Sequence, residues 1–210
     1  MTELLQRTGG VAATGDVSDP DVVAAMVEQA ERALGSIDVL VANHGYMTMA
    51  PFLTHDPDDW WRNVDVNLSG THFLIRAALP GMRRRSGGRI VIIASEFGVV
   101  GWSNATAYAA SKAGLISLTK TLGRELGPDG ILVNAIAPGI MDTPQLDVDA
   151  HDAGVSPEEI RRRYASESPI GRIGRPEEIA AAVAFLAGDG ASALTGQILQ
   201  PNGGTTRSPA

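Results

Sequence analysis

The sequence predicts an α/β protein built on a doubly wound parallel sheet. Three short apolar runs, Ile37–Ala42, Arg89–Ser95 and Ile131–Ala137, alternate with longer segments of helical character. Such runs of Ile, Val and Ala are typical of strands that a parallel sheet buries on both faces, and helical crossovers join strands of this kind. With 210 residues, of which 44% are apolar, the chain can form one domain with a substantial core, and we assign residues 1–210 to it.

The N-terminal residues predict a helix tail, a strand and a second helix. Residues 1–10 have the pattern of a helix that ends at its two glycines, and Val11–Gly15 predicts a short strand. Ser18 and Asp21 have the spacing of a capping box, so the second helix is expected to begin there and to end near Leu34.

A long helix is expected after Asp56, which is a favourable N-cap and is followed by proline and further acidic residues. Asn67 lies inside this helix. Asparagine is a poor helix former because its side chain can bond the backbone, so its presence there indicates a specific purpose.

The chain from Gly98 onward contains the remaining elements. Gly98–Asn104 is expected to be a loop, and the helix that follows runs through Tyr108 to Leu126. Residues 142–170 form an insert in which Ser156 opens a short helix through a capping box. The last helix and the last strand are expected near Gly171–Glu178 and Gly196–Gly204.

Candidate catalytic groups occur around the central strand. Tyr108 and Lys112 are four residues apart, so on a helix they share one face. A neighbouring ammonium favours the phenolate, and we therefore expect Lys112 to lower the pKa of Tyr108 toward the range useful for proton transfer. Ser95 ends the central strand, where open α/β sheets place their ligands. The three side chains could then meet at one carbonyl oxygen.

Three motifs occur together between residues 95 and 144. They are Ser95-Glu-Phe-Gly98, then Tyr108-Ala-Ala-Ser-Lys112, which begins thirteen residues after that serine, and Ala-Pro138-Gly139-x-x-x-Thr143-Pro. Together they resemble the short-chain dehydrogenase/reductase family. The resemblance implies a Rossmann-like fold and an oxidoreductase that uses NAD or NADP to interconvert a secondary alcohol and a ketone, with a small molecule as its substrate.

By the same resemblance, four residues form the catalytic set. Tyr108 is the general acid/base, Ser95 holds the substrate oxygen, and Lys112 assists Tyr108 and binds the hydroxyl groups of the nicotinamide ribose. Asn67 bends its helix and holds a water that relays protons to Lys112. The family also implies that residues 142–170 form the substrate lid.

The resemblance assigns cofactor contacts along the chain. Asp16 is assigned to the adenine ring, and Val17 beside it also contacts the cofactor. Asn43 and Gly45 form a tight turn that brings backbone close to the cofactor, although this turn departs from the family's Asn-Asn-Ala-Gly pattern at two positions. The remaining cofactor contacts are assigned to Tyr108, Lys112, Pro138, Gly139 and Thr143.

One family motif does not occur in this sequence. It is the glycine-rich turn Thr-Gly-x-x-x-Gly-x-Gly, which holds the pyrophosphate, and the resemblance begins near the family's third strand. The fold is therefore expected to lack the family's first two strands. The Val11–Gly15 strand would then pair with Ile37–Ala42, pair with another chain, or stay loose. Met1 is either a start placed too late in a longer reductase or the genuine start of a protein with weakened pyrophosphate binding.

Composition excludes several other classes of function. The formal net charge of −7 argues against binding to nucleic acid. The chain has no cysteine, which excludes disulfides and thiol chemistry. With four histidines and no histidine pair at ligand spacing, we expect no metal site. There is neither an apolar signal segment nor a run of membrane length, so a cytoplasmic protein without membrane contact is expected.

Partners and alternative functions follow from the same resemblance. Family members pair two helices with their copies in another subunit, which implies a homodimer or homotetramer. A function of another class stays open, namely a catalytically silent homologue that acts as a binding or scaffold subunit. Within the enzyme class, reduction of carrier-bound 3-oxoacyl groups also stays open, and the sequence selects neither a substrate nor NAD over NADP.

Overall fold

The protein has an α/β fold with a four-stranded parallel sheet, which confirms the predicted fold class. The computed structural model describes residue 5 and residues 7–206. The strands follow the order β1-β2-β3-β4, and every neighbouring pair is parallel. They are β1 Val39–Ala42, β2 Gly88–Ile93, β3 Ile131–Ile136 and β4 Ile198–Leu199.

Helices occupy most of the chain between these strands. The expected N-terminal helix tail lies partly outside the described residues, but residues 7–8 are helical and Gly9 turns the chain with a φ of +65°. The helices that follow are α1 Pro20–Leu34, α2 Pro57–Val64, α3 Gly70–Arg84, α4 Phe97–Val100, α5 Thr106–Leu126, α6 Gln145–Asp152, α7 Pro157–Glu167 and α8 Pro176–Ala187.

Apolar residues bury both faces of the sheet, because alternate residues of a strand point to opposite sides. On β2, Ile90 and Ile92 belong to a core cluster that includes residues of α1, α3 and α5. Val91 points the other way and packs in a second cluster with Leu186 of α8. Within the described ranges, none of the helices combines the length and the apolar character that crossing a bilayer requires.

Polar side chains begin three of the helices. Asp19 accepts hydrogen bonds from two backbone N–H groups of the first turn, so Asp19 is the N-cap of α1. The capping box expected at Ser18 is wrong, because the Ser18 hydroxyl instead donates to Asp16 Oδ1 at 2.7 Å. Asp56 and Ser156 cap α2 and α7 as expected.

The strand expected at Val11–Gly15 is wrong, because this segment is irregular and pairs with none of the four strands. It is instead held to α1, where Gln29 Nε2 donates to the Ala12 carbonyl at 3.0 Å. A strand requires a neighbour whose N–H and C=O groups complete its own. Among the described residues β1 is an edge strand, and its Val39 and Val41 are each 39% exposed.

The long helix expected after Asp56 is continuous but changes its winding at Asn67. A π-helical turn, Asp65–Ser69, joins α2 to α3 and contains this asparagine. A π-turn inserts one extra residue into the helix, and such turns are frequent at functional sites. The bend implied by the resemblance therefore takes the form of a wider helical turn.

One segment expected to be a loop is partly helical, and the insert contains a helix that the sequence analysis did not predict. The loop predicted at Gly98–Asn104 is wrong in its first half, which belongs to α4, and the helix ends at Gly101, where φ is +75°. The polar start of the insert forms α6. Leu146 of α6 packs with Ile160 of α7, so the insert has a small core of its own.

A close approach of two backbones at Gly98 yields a stability prediction. An added Cβ there would lie 2.6 Å from the Lys112 carbonyl carbon and 2.7 Å from the Ala113 nitrogen, so Gly98→Ala must push α4 away from α5. We expect the variant to lose about 1–3 kcal/mol of unfolding free energy, measured by urea denaturation. Gly127→Ala is the matched control, because that glycine has helical backbone angles and an open surrounding. Equal stability of the two variants would contradict this packing.

Candidate active site

Polar side chains collect at the edge of the sheet where the parallel strands end. Asn43 follows β1, Ser95 follows β2 and Pro138 follows β3. Their side chains and turns line one cleft of about 330 Å³. The predicted site residues that line it are Asn43, Gly45, Ser95, Tyr108, Lys112, Pro138, Gly139 and Thr143.

Helix α5 presents Tyr108 and Lys112 to this cleft from successive turns. Lys112 is 3% exposed, and its Nζ donates a hydrogen bond of 2.8 Å to the Ile93 carbonyl at the end of β2. The same ammonium lies over the Tyr108 ring, 5.5 Å from its centre. Gly98 permits this packing, because a side chain at that position would strike the Lys112 backbone.

Burial controls the proton affinity of both groups. Burial raises the pKa of Tyr108, and the Ser95 hydroxyl, a hydrogen-bond partner of the phenol, opposes this rise. Burial also lowers the pKa of Lys112 to about 8. The expectation that Lys112 lowers the Tyr108 pKa is therefore wrong in this structure. The ammonium bonds to the Ile93 carbonyl and faces the ring rather than the phenol oxygen, so the loss of water around the phenol dominates.

Ser95 is held where β2 meets α4. It is buried, and its Oγ accepts a hydrogen bond of 3.2 Å from the Phe97 backbone N–H. A hydroxyl that accepts in this way keeps its own proton to donate. The Ser95 O–H is therefore free to turn toward Tyr108 or toward a substrate oxygen in the cleft.

Asn67 lies behind the cleft. Its Oδ1 accepts from the Tyr46 N–H at 2.8 Å, and its Nδ2 donates to the Tyr46 carbonyl at 2.9 Å and to Ser111 Oγ at 3.0 Å. Asn67 thereby ties the loop after β1 to α5. His44 of the same loop lines the cleft, and burial, followed by the charge of Lys112, lowers its pKa.

Two predicted cofactor contacts, Asp16 and Val17, do not line this cleft. Asp16 forms an ion pair with Arg62, whose Nη2 lies 2.7 Å from Asp16 Oδ2. The Arg62 guanidinium, assisted by the N–H and O–H groups of Ser18, lowers the pKa of Asp16 to about 2. Val17 packs against the core, where an added Cβ on Gly70 would touch its side chain at 3.0 Å.

Other residues that line the cleft were not singled out from the sequence, although several of them lie in the insert that was expected to form the substrate lid. Asp149 and Leu146 of α6 and Tyr164 of α7 contribute to it from the insert, and Met47 contributes from the loop after β1. The polar composition of α6 concealed its helical character. The four-residue spacing of Leu146 and Ala150 was the signal that could have revealed it.

A parallel α/β sheet with polar and ionisable groups at the carboxyl ends of its strands defines a ligand-binding protein of the doubly wound class. In the part of the chain that the structure describes, no group of three or more His, Asp or Glu side chains is placed to hold a metal ion. The cleft offers hydroxyl and phenol groups, an ammonium, an imidazole, two carboxyl groups and backbone amides.

Comparison with known proteins identifies the family. The family described as enoyl-(acyl carrier protein) reductase matches residues 1–206. Over 192 residues the chain is 42% identical to cis-4-hydroxycyclohexanecarboxylate dehydrogenase of Sinomonas cyclohexanicum, which covers 91% of this chain and 74% of that relative. Over 189 residues it is 39% identical to 3-oxoacyl-(acyl-carrier-protein) reductase FabG of Thermotoga maritima, covering 90% and 74%. Over 197 residues it is 39% identical to oxidoreductase UcpA of Escherichia coli O157:H7, covering 93% and 75%.

The chain belongs to the short-chain dehydrogenase/reductase family, which confirms the resemblance of its motifs. It is an oxidoreductase of this family, and the cofactor is NAD or NADP. The chain spans about three quarters of the length of the relatives named above.

The cleft residues fit the nicotinamide end of such a cofactor. An ammonium has three N–H donors, and among the described contacts the Ile93 carbonyl takes one of those of Lys112. The turn at Gly139 offers backbone groups at the cleft, and it packs so closely that an added Cβ would lie 2.8 Å from Asn202 Cβ. Thr143 adds a hydroxyl to the same cleft. This donor set suits a ribose and a carboxamide.

The buried position of Lys112 predicts an unusual titration. The chain has two lysines, the buried Lys112 and the exposed Lys120, so their signals can be followed separately. We expect Lys112 to lose its proton with a midpoint near pH 8, because burial disfavours the ammonium. NMR of isotope-labelled lysine side chains measures the midpoint, and Lys112→Met assigns the signal. A midpoint near the ordinary value of 10.5 would show that the side chain is solvated.

The same shift sets the pH dependence of stability. Between pH 8 and 10.5 the unfolded chain binds the Lys112 proton more tightly than the folded chain does, so the unfolding free energy rises with pH through this window. Lys112→Met lacks this contribution. Between pH 8 and 10.5, the unfolding free energy of wild type measured by urea denaturation should therefore rise by up to about 3 kcal/mol relative to that of Lys112→Met.

Proposed function

We propose that the chain interconverts a secondary alcohol and a ketone, with Tyr108 as the general acid/base. The convergence of Ser95, Tyr108 and Lys112 on one cleft at the strand ends supports this proposal. A bound nicotinamide supplies or accepts the hydride. The protein must then hold the substrate oxygen and move its proton.

Ser95 and Tyr108 act on the substrate oxygen in this proposal. Their two hydroxyl groups can both donate to a carbonyl oxygen in the cleft and stabilise the negative charge that develops on it. Because burial raises its pKa, the Tyr108 phenol keeps its proton at neutral pH and is the donor in ketone reduction. Alcohol oxidation requires the phenolate as acceptor, so oxidation is favoured as the pH rises.

Lys112 and Asn67 support the reacting pair. Lys112 is anchored at the end of β2 beside the Tyr108 ring, from where its remaining N–H groups would bind the ribose hydroxyls. Asn67 acts as a positioning residue, because its side chain joins Tyr46 to Ser111, the residue before Lys112. The water that the resemblance assigns to Asn67 would connect this network to Lys112 as a proton relay. A homodimer or homotetramer remains part of the proposal.

A catalytically silent relative that serves as a binding or scaffold subunit is the second candidate. One observation favours it, namely that the Asp16 carboxylate assigned to the adenine ring is paired with Arg62. The two candidates differ in whether this chain binds the dinucleotide.

Replacement of the phenol tests the acid/base role directly. Tyr108→Phe keeps the ring that contacts Phe97 edge to face, with centroids 6.0 Å apart, and removes only the proton donor. We expect kcat/KM for a ketone to fall by at least about 10²–10⁴-fold, while the melting temperature changes little. Turnover near the wild-type rate would eliminate Tyr108 as the acid/base.

Cofactor binding separates the enzyme from the scaffold. We expect millimolar NADH or NADPH to raise the melting temperature of this chain, because a ligand that binds the folded state stabilises it. Dye-monitored melting with each cofactor measures the shift, and Lys112→Met should reduce it. The same measurement on an N-terminally extended chain tests how much a glycine-rich turn adds. No shift with either cofactor would favour the scaffold.

A further inference from the structure

A second cavity of about 360 Å³ adjoins the catalytic cleft. Glu96, Trp102, Met141 and Tyr164 line both spaces, so they form a shared wall. One elongated ligand could therefore occupy the two spaces together. What the second cavity binds is inferred on the basis of the proposed function, in which the catalytic cleft holds the reacting end of the substrate.

Glu96 places a buried carboxyl group in this shared wall. The residue is 4% exposed, and its Oε2 accepts a hydrogen bond of 2.5 Å from Thr205 Oγ1. Burial raises the Glu96 pKa, which the Thr205 hydrogen bond opposes and the charge of Glu167 reinforces. Within residues 7–206 no basic side chain forms an ion pair with Glu96. A ligand that donates a hydrogen bond or a positive charge would stabilise such a group.

Apart from Lys112 in the catalytic cleft, the charged groups around the two spaces that lack an ionic partner among the described residues are negative. Asp149 lines the catalytic cleft, and Glu167 lines the second cavity. Arg172 also lines the second cavity, but its guanidinium is bonded to both carboxyl oxygens of Glu178, at 2.9 and 2.6 Å. Its charge is therefore already balanced. An anionic group bound there would meet carboxylates of like charge.

Ser168 adds an unsatisfied polar atom to the wall of the second cavity. Its Oγ is buried and has no hydrogen-bond partner in the described part of the chain. Because this oxygen has almost no accessible surface, a ligand in the cavity can reach it only after the Ser168 side chain turns to another rotamer.

The walls between the two polar ends are largely apolar. Phe97 and Trp102 stack with centroids 4.7 Å apart and planes inclined by 5°. Ile140 and Met141 line both spaces as well. Apolar walls favour a carbon skeleton between the reacting oxygen and a distant polar group.

We propose that the substrate is an elongated hydroxy or keto compound whose far end is an uncharged or cationic hydrogen-bond donor, a hydroxyl or an ammonium, bound by Glu96. Anionic far ends are rejected by the surrounding carboxylates. The Sinomonas cyclohexanicum relative is named for a different kind of substrate, which carries a carboxylate.

A series of methyl ketones tests this specificity with a constant reacting group. The compounds increase in chain length and end in a primary alcohol, a primary amine or a carboxylate. Binding to the full chain is measured by isothermal titration calorimetry, and turnover is measured with NADH and NADPH. At the length that reaches Glu96, we expect the alcohol and the amine to bind at least about tenfold more tightly than the carboxylate. The alcohol and amine arms separate a neutral from a cationic far end.

Charge removal at Glu96 tests which residue is responsible. We expect Glu96→Gln to weaken amine binding by about tenfold and to reduce the discrimination against the carboxylate, with little effect on the alcohol. Glu177→Gln is the matched control, because this acid is exposed and lines neither space.

The possible outcomes separate the two proposals. Equal or tighter binding of the carboxylate by wild type, undiminished amine binding and undiminished discrimination against the carboxylate in Glu96→Gln, or no binding of any compound would overturn the assignment of the second cavity. Binding in the expected order without turnover would overturn the proposed function and leave this assignment standing.

Discussion

The site depends on one interaction, the hydrogen bond made by the buried ammonium of Lys112. Its hydrogen bond to the Ile93 carbonyl joins α5 to the end of β2 and thereby sets the position of Tyr108 at the strand ends. Burying an ammonium this deeply costs free energy unless the group is hydrogen-bonded or paired with an opposite charge. The close approach of α4 at Gly98 packs this short helix against the Lys112 backbone and so fixes the position from which the side chain extends. The packing of these elements therefore also determines where the ionisable groups of the cleft lie.

This packing acts on both ionisable groups that α5 presents to the cleft, in opposite directions. Burial makes the Tyr108 phenol a weaker acid and the Lys112 ammonium a stronger one. Because the ammonium is directed to a backbone carbonyl, it orients the phenol more than it ionises it. Burial acts in the same way on Glu96, in the wall shared with the second cavity. Removal from water raises the pKa of this carboxyl, and its hydrogen bond from Thr205 opposes the rise. Burial, rather than the contact between side chains, is thus the main influence on charge in this region.

Local sequence patterns located β2, β3 and α5 to within about two residues, because an apolar run or a helical period is a property of neighbouring residues. The prediction failed at Val11–Gly15, because a strand exists only where another strand completes its hydrogen bonds. It failed at Ser18 because that hydroxyl donates to the Asp16 carboxylate. The Asp19 carboxylate instead accepts from the backbone N–H groups of the first helical turn. Helix α6 was not predicted because its polar residues conceal two apolar positions that pack in a small cluster separate from the main core.

The sequence by itself determined the fold class, the family, and the grouping of Ser95, Tyr108 and Lys112, since a strand end and a helical spacing of four are local properties. Only the tertiary structure decided the direction of the Tyr108 pKa shift, the exclusion of Asp16 from the cleft, and the position of Glu96 between two cavities. The physical reason is that burial and electrostatic environment are set by residues far apart in the chain, which only folding brings together.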